Sequence, residues 1–371
     1  MKILLLSDPS NSHTIKWANS LYEKGVDIFL YGLNKFDSTE FNSGIKIDYL
    51  RTPSIIKSQN DGNLLKVFYL FGIPKIKRII KTFKPDIVHS HYATSYGLLG
   101  ALCKAQQFYI SVWGSGDVFV FPHRSKTFNN LYKFILSKAN AITTTSEVMR
   151  KEISIYTDKK IHKIPFGVDT KMFKPANVSS LFHSSDIVIG SIKSLEPTYG
   201  TEYLLKAFKI VKNKFKSLPL KLLIVGDGSL FTFLNKLATE FQIQDDTRFI
   251  GRIPYKYISK YHNMIDISVF PSIMESFGVS VLEASACEKP VIVSDVGGLP
   301  EVVKENETGY IVPSKNPDAL AAQLEILILN RILRETFGKN GRKWAKEKFE
   351  WDSCVIEMIK LYKESIKKEF S

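Results

Sequence analysis

The chain has 371 residues, 44% hydrophobic and 24% charged, and no apolar run reaches the roughly 18 residues of a bilayer-spanning helix. That is the make-up of a soluble globular protein with room for two domains, each with its own core. The formal charge of +14, about +10 of it within residues 1–170, points to anionic partners; with no zinc-finger or RNA-recognition signature, an anionic membrane surface is expected and nucleic acid is not.

Met1–Leu6 opens like a signal segment, but Ser7, Asp8 and Pro9 cut the apolar run short, so Lys2–Leu6 reads as a first strand. A polar loop, Ser7–His13, leads into a helix over Thr14–Lys24 that Gly25 ends, and Val26–Tyr31 is the next strand. Ser12 and His13 stand at the carboxyl end of the first strand, where they can line a cleft. Leu64–Phe83 is apolar and basic, and Pro74 divides it into two helical pieces. The second carries Lys75, Lys77, Arg78 and Lys81 beside Ile76, Ile79 and Ile80, a pattern suited to lying on anionic lipid, or to a helix packed on a sheet with a solvated basic face. A strand then ends in His89-Ser90-His91; with no third ligand nearby a metal is not expected, and His91 should face the cleft while His89 is structural. Tyr109–Trp113 is a strand running into Gly114-Ser115-Gly116-Asp117. Ala141–Thr145 is a strand, Ser146 caps a helix, and Ile161–Pro165 is a short strand. The domain boundary is expected in the loop-like residues 170–185.

The second half repeats the alternation. Asp186–Ser191 and Leu220–Val225 are strands, the first followed by Lys193 and the second by Gly226. Ile265–Phe270 is a buried strand stopped by Pro271; Ser272–Phe277 is a loop, and Gly278 opens a helix running to about Glu288. Val291–Asp295 is the next strand, and Gly297-Gly298 with Pro300 marks a tight loop. A helix start at a strand's carboxyl end offers free amides, here of Phe277, Gly278 and Val279, that suit a phosphate. Glu275 and Glu283 bracket this turn at a separation on the order of 10 Å. That spacing fits the two ends of one extended ligand, a diphosphate between two hydroxylated sugars, better than paired acid/base chemistry. The chain closes with a strand at Tyr310–Pro313 and helices over Pro317–Leu329, Arg331–Phe349 and from Trp351 to about Glu369. Cys103, Cys287 and Cys354 are scattered and odd in number, as in a reducing cytoplasm.

Glu275-Ser-Phe277-Gly278, followed by Glu283 and by Ser294-Asp-Val-Gly-Gly-Leu-Pro-Glu301, resembles the donor-site signature of the family 4 retaining glycosyltransferases. Pro85-Asp-Ile-Val-His89-Ser-His91, Phe166-Gly-Val-Asp169 and Val225-Gly-Asp-Gly228 are similar to other segments of that family. The resemblance implies an α/β protein of the GT-B type, with two facing doubly wound Rossmann-like domains and an interdomain cleft: 1–170 on the acceptor side, 171–349 binding nucleotide sugar, and 350–371 as a helix crossing back. It implies retaining, metal-independent hexosyl transfer from a UDP- or GDP-linked donor to an acceptor hydroxyl, the acceptor being a lipid-linked or cell-surface polysaccharide intermediate, in the cytoplasm at the inner face of the membrane. No cofactor is implied, and the chain has no Asp-x-Asp. Glu275 would orient the donor sugar, Lys193 neutralise the diphosphate, Asp117 contact the sugar or acceptor, and Glu283 hold the ribose, with Arg252 and Ile253 near the base. Trp113 stands where the family carries a histidine, and Thr198-Tyr199 where a second cation is usual. Two alternatives stay open: a GT-B nucleotide-sugar epimerase, which would need no acceptor, and a non-catalytic nucleotide-sugar-binding protein, which these departures favour.

Overall fold

Short β-branched and aromatic runs, each apolar on both faces, form parallel strands because helices cover both sides of the sheets they join. The computed structural model describes residues 1–34, 38–52 and 64–367. The chain divides into two units, Met1–Pro165 with Asp352–Ser371, and Phe166–Trp351. The break therefore falls just ahead of the loop that composition marks.

The first unit is built on β1 (Lys2–Leu6), β2 (Asp27–Gly32), β3 (Lys46–Tyr49), β4 (Ile87–His91), β5 (Phe108–Val112), β6 (Ala141–Thr144) and β7 (Ile161–Lys163). They form one parallel sheet in the order β3-β2-β1-β4-β5-β6-β7, so the winding reverses between β1 and β4. The first helix spans Ser12–Glu23 and starts earlier than its periodicity suggests, because Asn11 caps it: the Asn11 side chain accepts from the His13 amide at 2.8 Å. Leu64–Gly72 winds as a 3-10 helix, and Pro74 sits in the first turn of the α-helix Ile73–Phe83. That helix buries Ile76, Ile79 and Phe83 while Lys75, Lys77, Arg78 and Lys81 are exposed. Its apolar face is thus spent on the core and its basic face is solvated, the second of the two arrangements the sequence allows.

The last helix, Trp351–Lys367, joins the first unit from Asp352 onward; the last two residues of its expected span lie outside the described residues. Its Tyr362 is fully buried, with the phenol 2.6 Å from His89 Nδ1. His89 Nε2 lies 2.8 Å from Ser111 Oγ, which in turn meets Thr143 Oγ1 at 2.6 Å. A polar thread therefore runs from the helix through β4 and β5 to β6, with His89 at its centre in the structural role its place in the strand suggests.

The second unit holds β8 (Ile187–Ile192), β9 (Leu220–Val225), β10 (Thr247–Phe249), β11 (Ile267–Phe270), β12 (Val291–Ser294) and β13 (Gly309–Val312). Their parallel order is β10-β9-β8-β11-β12-β13, and the winding reverses between β8 and β11. The helix after β11 covers Val279–Ala286, stopping short of Glu288, and its residues 281–286 are all buried. Arg342, on the helix Arg331–Phe349, donates to the carbonyls of Ala286, Phe173 and Thr170, tying that helix end to the start of the unit. Among the described residues no helix is long and apolar enough to cross a membrane.

Candidate active site

In open α/β sheets ligands gather outside the carboxyl ends of the strands where the winding reverses. In the second unit that point lies between β8 and β11, and the residues following these strands meet there. Lys193, next after β8, places its Nζ 2.6 Å from Glu275 Oε2 in the loop after β11. Both side chains are largely buried, 16% and 10% exposed, so solvent screens the pair little. Burial pulls the ammonium down, but the Glu275 charge, Tyr199 and the hydrogen bond outweigh it and hold Lys193 above the usual lysine value. Tyr199 occupies the stretch where the second cation is missing, and the Lys193 ammonium sits over its ring, 4.4 Å from the centroid. The Thr198 carbonyl accepts from the amides of Ile273 and Met274 at 2.8 and 3.2 Å, which binds this turn to the Glu275 loop.

Gly297 sits against that loop from the other side. Its φ is +53°, and a Cβ there would lie 1.7 Å from the Glu275 carbonyl oxygen. The next amide, of Gly298, donates to the same oxygen at 3.3 Å. Gly278, with φ of +108°, turns the chain into the helix, whose first intrahelical bonds are made by the Val281 and Leu282 amides to the Gly278 carbonyl. The amides of Gly278 and Val279 precede those bonds and so stand at the positive end of the helix. Phe277 itself is buried, packing edge-on to Phe166 and Phe349, so its ring anchors the turn. Gly226, at φ +145°, lies against the Lys193 carbonyl and bonds Gly251 at 2.9 Å, bringing the turns after β8, β9 and β10 together.

Glu283 is 4% exposed, and its carboxylate is already engaged. Tyr255 donates its phenol to Oε1 at 2.9 Å, and His262 Nε2 lies 3.6 Å from Oε2. Burial and the Glu283 charge push the Tyr255 phenol upward, which keeps it a donor. His262 is fully buried, and neither ring nitrogen has a hydrogen-bond partner. Nothing in the sequence marks these two partners of Glu283, since Tyr255 follows a proline turn and His262 sits on a short helix, Ile258–Asn263. Of the two residues assigned near the base, Arg252 is exposed while Ile253 packs on the cluster containing Ile192 and Val225.

In the first unit the winding reverses between β1 and β4, and a cavity of about 430 Å³ opens there. The loops after β1, β2, β4 and β5 supply its wall, with Asp8 and Asn11, Asn34, Tyr92 and Thr94, and Gly114–Asp117 in turn. Asn11 donates to the Tyr92 phenol at 2.9 Å. Tyr92 has φ of +73°, a conformation costly for a bulky residue and met most often where a site demands it. Asp117 is 4% exposed, and its two carboxylate oxygens accept the amides of Ala93 and Thr94 at 2.5 and 2.9 Å. It therefore clamps the loop after β4 while lining the cavity.

His91 is likewise not a surface group: it is 1% exposed, with Nδ1 2.9 Å from Ser7 Oγ and its ring under Trp113 at 3.7 Å. Burial, then the neighbouring His89 and His13, keep it far below the usual imidazole range. Trp113 is itself buried and closes this stack, whereas Ser12 is exposed and His13 half-buried at the first turn of their helix. Asn11 and Tyr92 escape notice in the sequence; the only signal for the first is its capping position. Among the described residues no group of three or more His, Cys, Asp or Glu side chains is placed to hold a metal ion.

Known proteins match both halves. Residues 174–344 fit the family described as glycosyl transferases group 1, and residues 2–146 the glycosyl transferase 4-like family. A glycosyltransferase of Methanocaldococcus jannaschii, MJ1178, is 27% identical over 334 residues, 89% of this chain and 88% of that one. Among solved structures, a sucrose-phosphate synthase of Thermosynechococcus elongatus superposes with a TM-score of 0.86 at 21% identity, covering 99% of this chain and all of that one. HepE of Anabaena in complex with UDP gives 0.78 at 16% identity, over 98% and 100% of the two chains. These structures share the GT-B fold with its two Rossmann-like domains, and each half of the chain matches one glycosyltransferase family model, group 1 on residues 174–344 and 4-like on residues 2–146.

Proposed function

We propose that the protein is a retaining, metal-independent hexosyltransferase that moves a sugar from a UDP- or GDP-linked donor to an acceptor hydroxyl. The observation that carries this reading is the Lys193–Glu275 pair at the reversal point of the second sheet, beside the helix start at Gly278. The diphosphate takes the amides at that helix start, and the Lys193 ammonium meets the charge that develops as the bond from the anomeric carbon to the diphosphate oxygen breaks. Glu275 accepts from the hydroxyls of the sugar and Glu283 from the ribose, with Gly226, Arg252 and Ile253 along the nucleoside. The acceptor oxygen bonds to the anomeric carbon on the face the diphosphate leaves, and its proton passes to the leaving diphosphate. Helix dipole and Lys193 together do what a divalent cation does elsewhere.

The acceptor belongs to the first unit, around the cavity bounded by Asn11, Tyr92 and Asp117, with Ser12, His13, His91 and Trp113 close to its lining residues along the chain. A lipid-linked or polysaccharide intermediate fits the exposed basic face of Ile73–Phe83, which on this reading rests on the anionic inner surface of the membrane from the cytoplasmic side. UDP in the HepE complex supports a UDP-linked donor. The test is thermal stabilisation against UDP, GDP, ADP, CMP and their sugar conjugates, with and without EDTA. At a hundred times its dissociation constant a nucleotide adds about 2.7 kcal/mol. A shift with one nucleoside diphosphate, unmoved by EDTA and lost in Glu283→Ala, is the expected result; none with any nucleotide sinks the donor site. The anomeric configuration of the product by NMR decides retention.

A further inference from the structure

The cavity of the first unit is lined mainly by hydrogen-bonding and tyrosine side chains, beside Leu33 and two glycines. Its hydrogen-bonding groups are the amides of Asn11 and Asn34, the hydroxyls of Thr94, Ser95 and Ser115, and tyrosine side chains. Its only charges among the described residues are the carboxylates of Asp8 and Asp117; no lysine, arginine or histidine of those residues lines it. This is notable in a chain of net charge +14 whose first 170 residues carry most of the excess. The cations of Ile73–Phe83 lie on an exposed helix face.

A ligand bearing phosphate or carboxylate would enter this space against two like charges, with no cation among the described residues of the wall to meet it, and repulsion of that kind is how a site turns a competitor away. A ring bearing several hydroxyls finds donors and acceptors on each side and aromatic faces for its C–H edges. Asp117 is held by the Ala93 and Thr94 amides, and Asp8 accepts from the Ser10 amide and hydroxyl at 3.0 and 2.8 Å, so both carboxylates are fixed parts of the wall. Resting on the reading of this unit as the acceptor side, we propose that the cavity takes an uncharged, polyhydroxylated ring, a neutral sugar or cyclitol, and rejects acceptors that are phosphorylated or carboxylated at that end. Any phosphate of a lipid-linked acceptor then lies outside the cavity.

The structure supplies a clean variant. Gly116 lines the cavity, and a Cβ built on it meets nothing within 4 Å, so Gly116→Leu adds bulk at the wall with no clash at its Cβ. Binding to the full chain is measured by saturation-transfer NMR and calorimetry with matched probes: a methyl hexoside against the corresponding hexose phosphate, and myo-inositol against its monophosphate. Neutral probes are expected to bind at least tenfold tighter than their phosphorylated partners. Asp8→Asn should narrow that ratio, and Gly116→Leu should abolish neutral binding. Equal or tighter binding of the phosphates, neutral binding that survives Gly116→Leu, or no binding of either kind at millimolar concentration would each overturn the proposal. The nucleotide screen runs on the same preparation. A nucleotide shift without the neutral preference sinks this inference alone, while a neutral preference without any nucleotide shift sinks the donor reading and leaves the cavity's selectivity in place.

Discussion

Tyr255 and a nucleotide ribose compete for one oxygen. The phenol donates to Glu283 Oε1 at 2.9 Å, where the proposed ribose contact must form, so binding has to break that bond first. Tyr255→Phe removes the competitor. The free protein is then left with a buried carboxylate short of one donor, which costs about 1–3 kcal/mol of stability. Nucleotide binding no longer has a hydrogen bond to displace and is expected to tighten by about tenfold, or roughly 1.4 kcal/mol. Calorimetric titration alongside a melting curve reads both; a variant that binds nucleotide more weakly than the parent rejects the competition. Gly297 supplies a second case, in which sterics alone decide. A methyl group 1.7 Å from the Glu275 carbonyl at φ +53° cannot be accommodated without moving the loop. Gly297→Ala is expected to lower stability by about 1–3 kcal/mol from backbone strain and to abolish nucleotide-induced stabilisation. The same change at Gly116, in open space, should stay within about 0.5 kcal/mol.

At the scale of elements, two helices of the first unit show opposite uses of an amphipathic pattern. Ile73–Phe83 spends its apolar face on the sheet and leaves its cations outside, so any lipid contact is electrostatic. Replacing Lys77, Arg78 and Lys81 by glutamate should leave the fold intact and lower affinity for vesicles containing phosphatidylserine by about 1 kcal/mol per cation removed; vesicle sedimentation in low and high salt checks it, and unchanged binding rejects the membrane face. Trp351–Lys367 is held by a buried polar bond instead, and Tyr362→Phe is expected to destabilise the first unit by about 1–3 kcal/mol, measured by urea denaturation. The elements themselves were largely legible. Pro317–Leu329 and Arg331–Phe349 match the sequence reading residue for residue, because Asn316 and Asn330 cap them with side-chain bonds that depend on local sequence only. The 3-10 winding of Leu64–Gly72 and the π turn at Gly116–Val120 were not legible, since hydropathy fixes which face is apolar and not how tightly the backbone winds. The partners of Glu283 and Asp117 were hidden for a different reason: Tyr255 is 28 positions from one and Ala93 is 24 from the other, so tertiary packing alone brings them together.

For the molecule as a whole, the two units place their candidate sites by the same rule, at the reversal of a parallel sheet, but they differ in what lies beneath. Under the cavity of the first unit are two buried histidines. Burial holds His89 down at about 3, and His91 is lowered for the same reason with His89 and His13 adding to it. Both are therefore neutral in the folded chain and free to take a proton only when it unfolds, where an imidazole titrates near 6.5. A folded value below the unfolded one means that the stability this contributes is fully present above about pH 6.5 and is lost as pH falls from there through about 3. At pH 5 the loss from His89 alone is about 2 kcal/mol, a large share of an ordinary domain's stability. The first unit should thus be the acid-sensitive half. Urea denaturation at pH 7 and pH 5, with saturating nucleotide present to hold the second unit folded, isolates it. His89→Asn keeps a donor and an acceptor beside Tyr362 and Ser111 but cannot be protonated, so it should be weaker than the parent at pH 7 and lose less on acidification. If His89→Asn and the parent lose the same stability between pH 7 and pH 5, the buried imidazole is not the acid-sensitive group, and the tether from the last helix to the sheet is indifferent to pH.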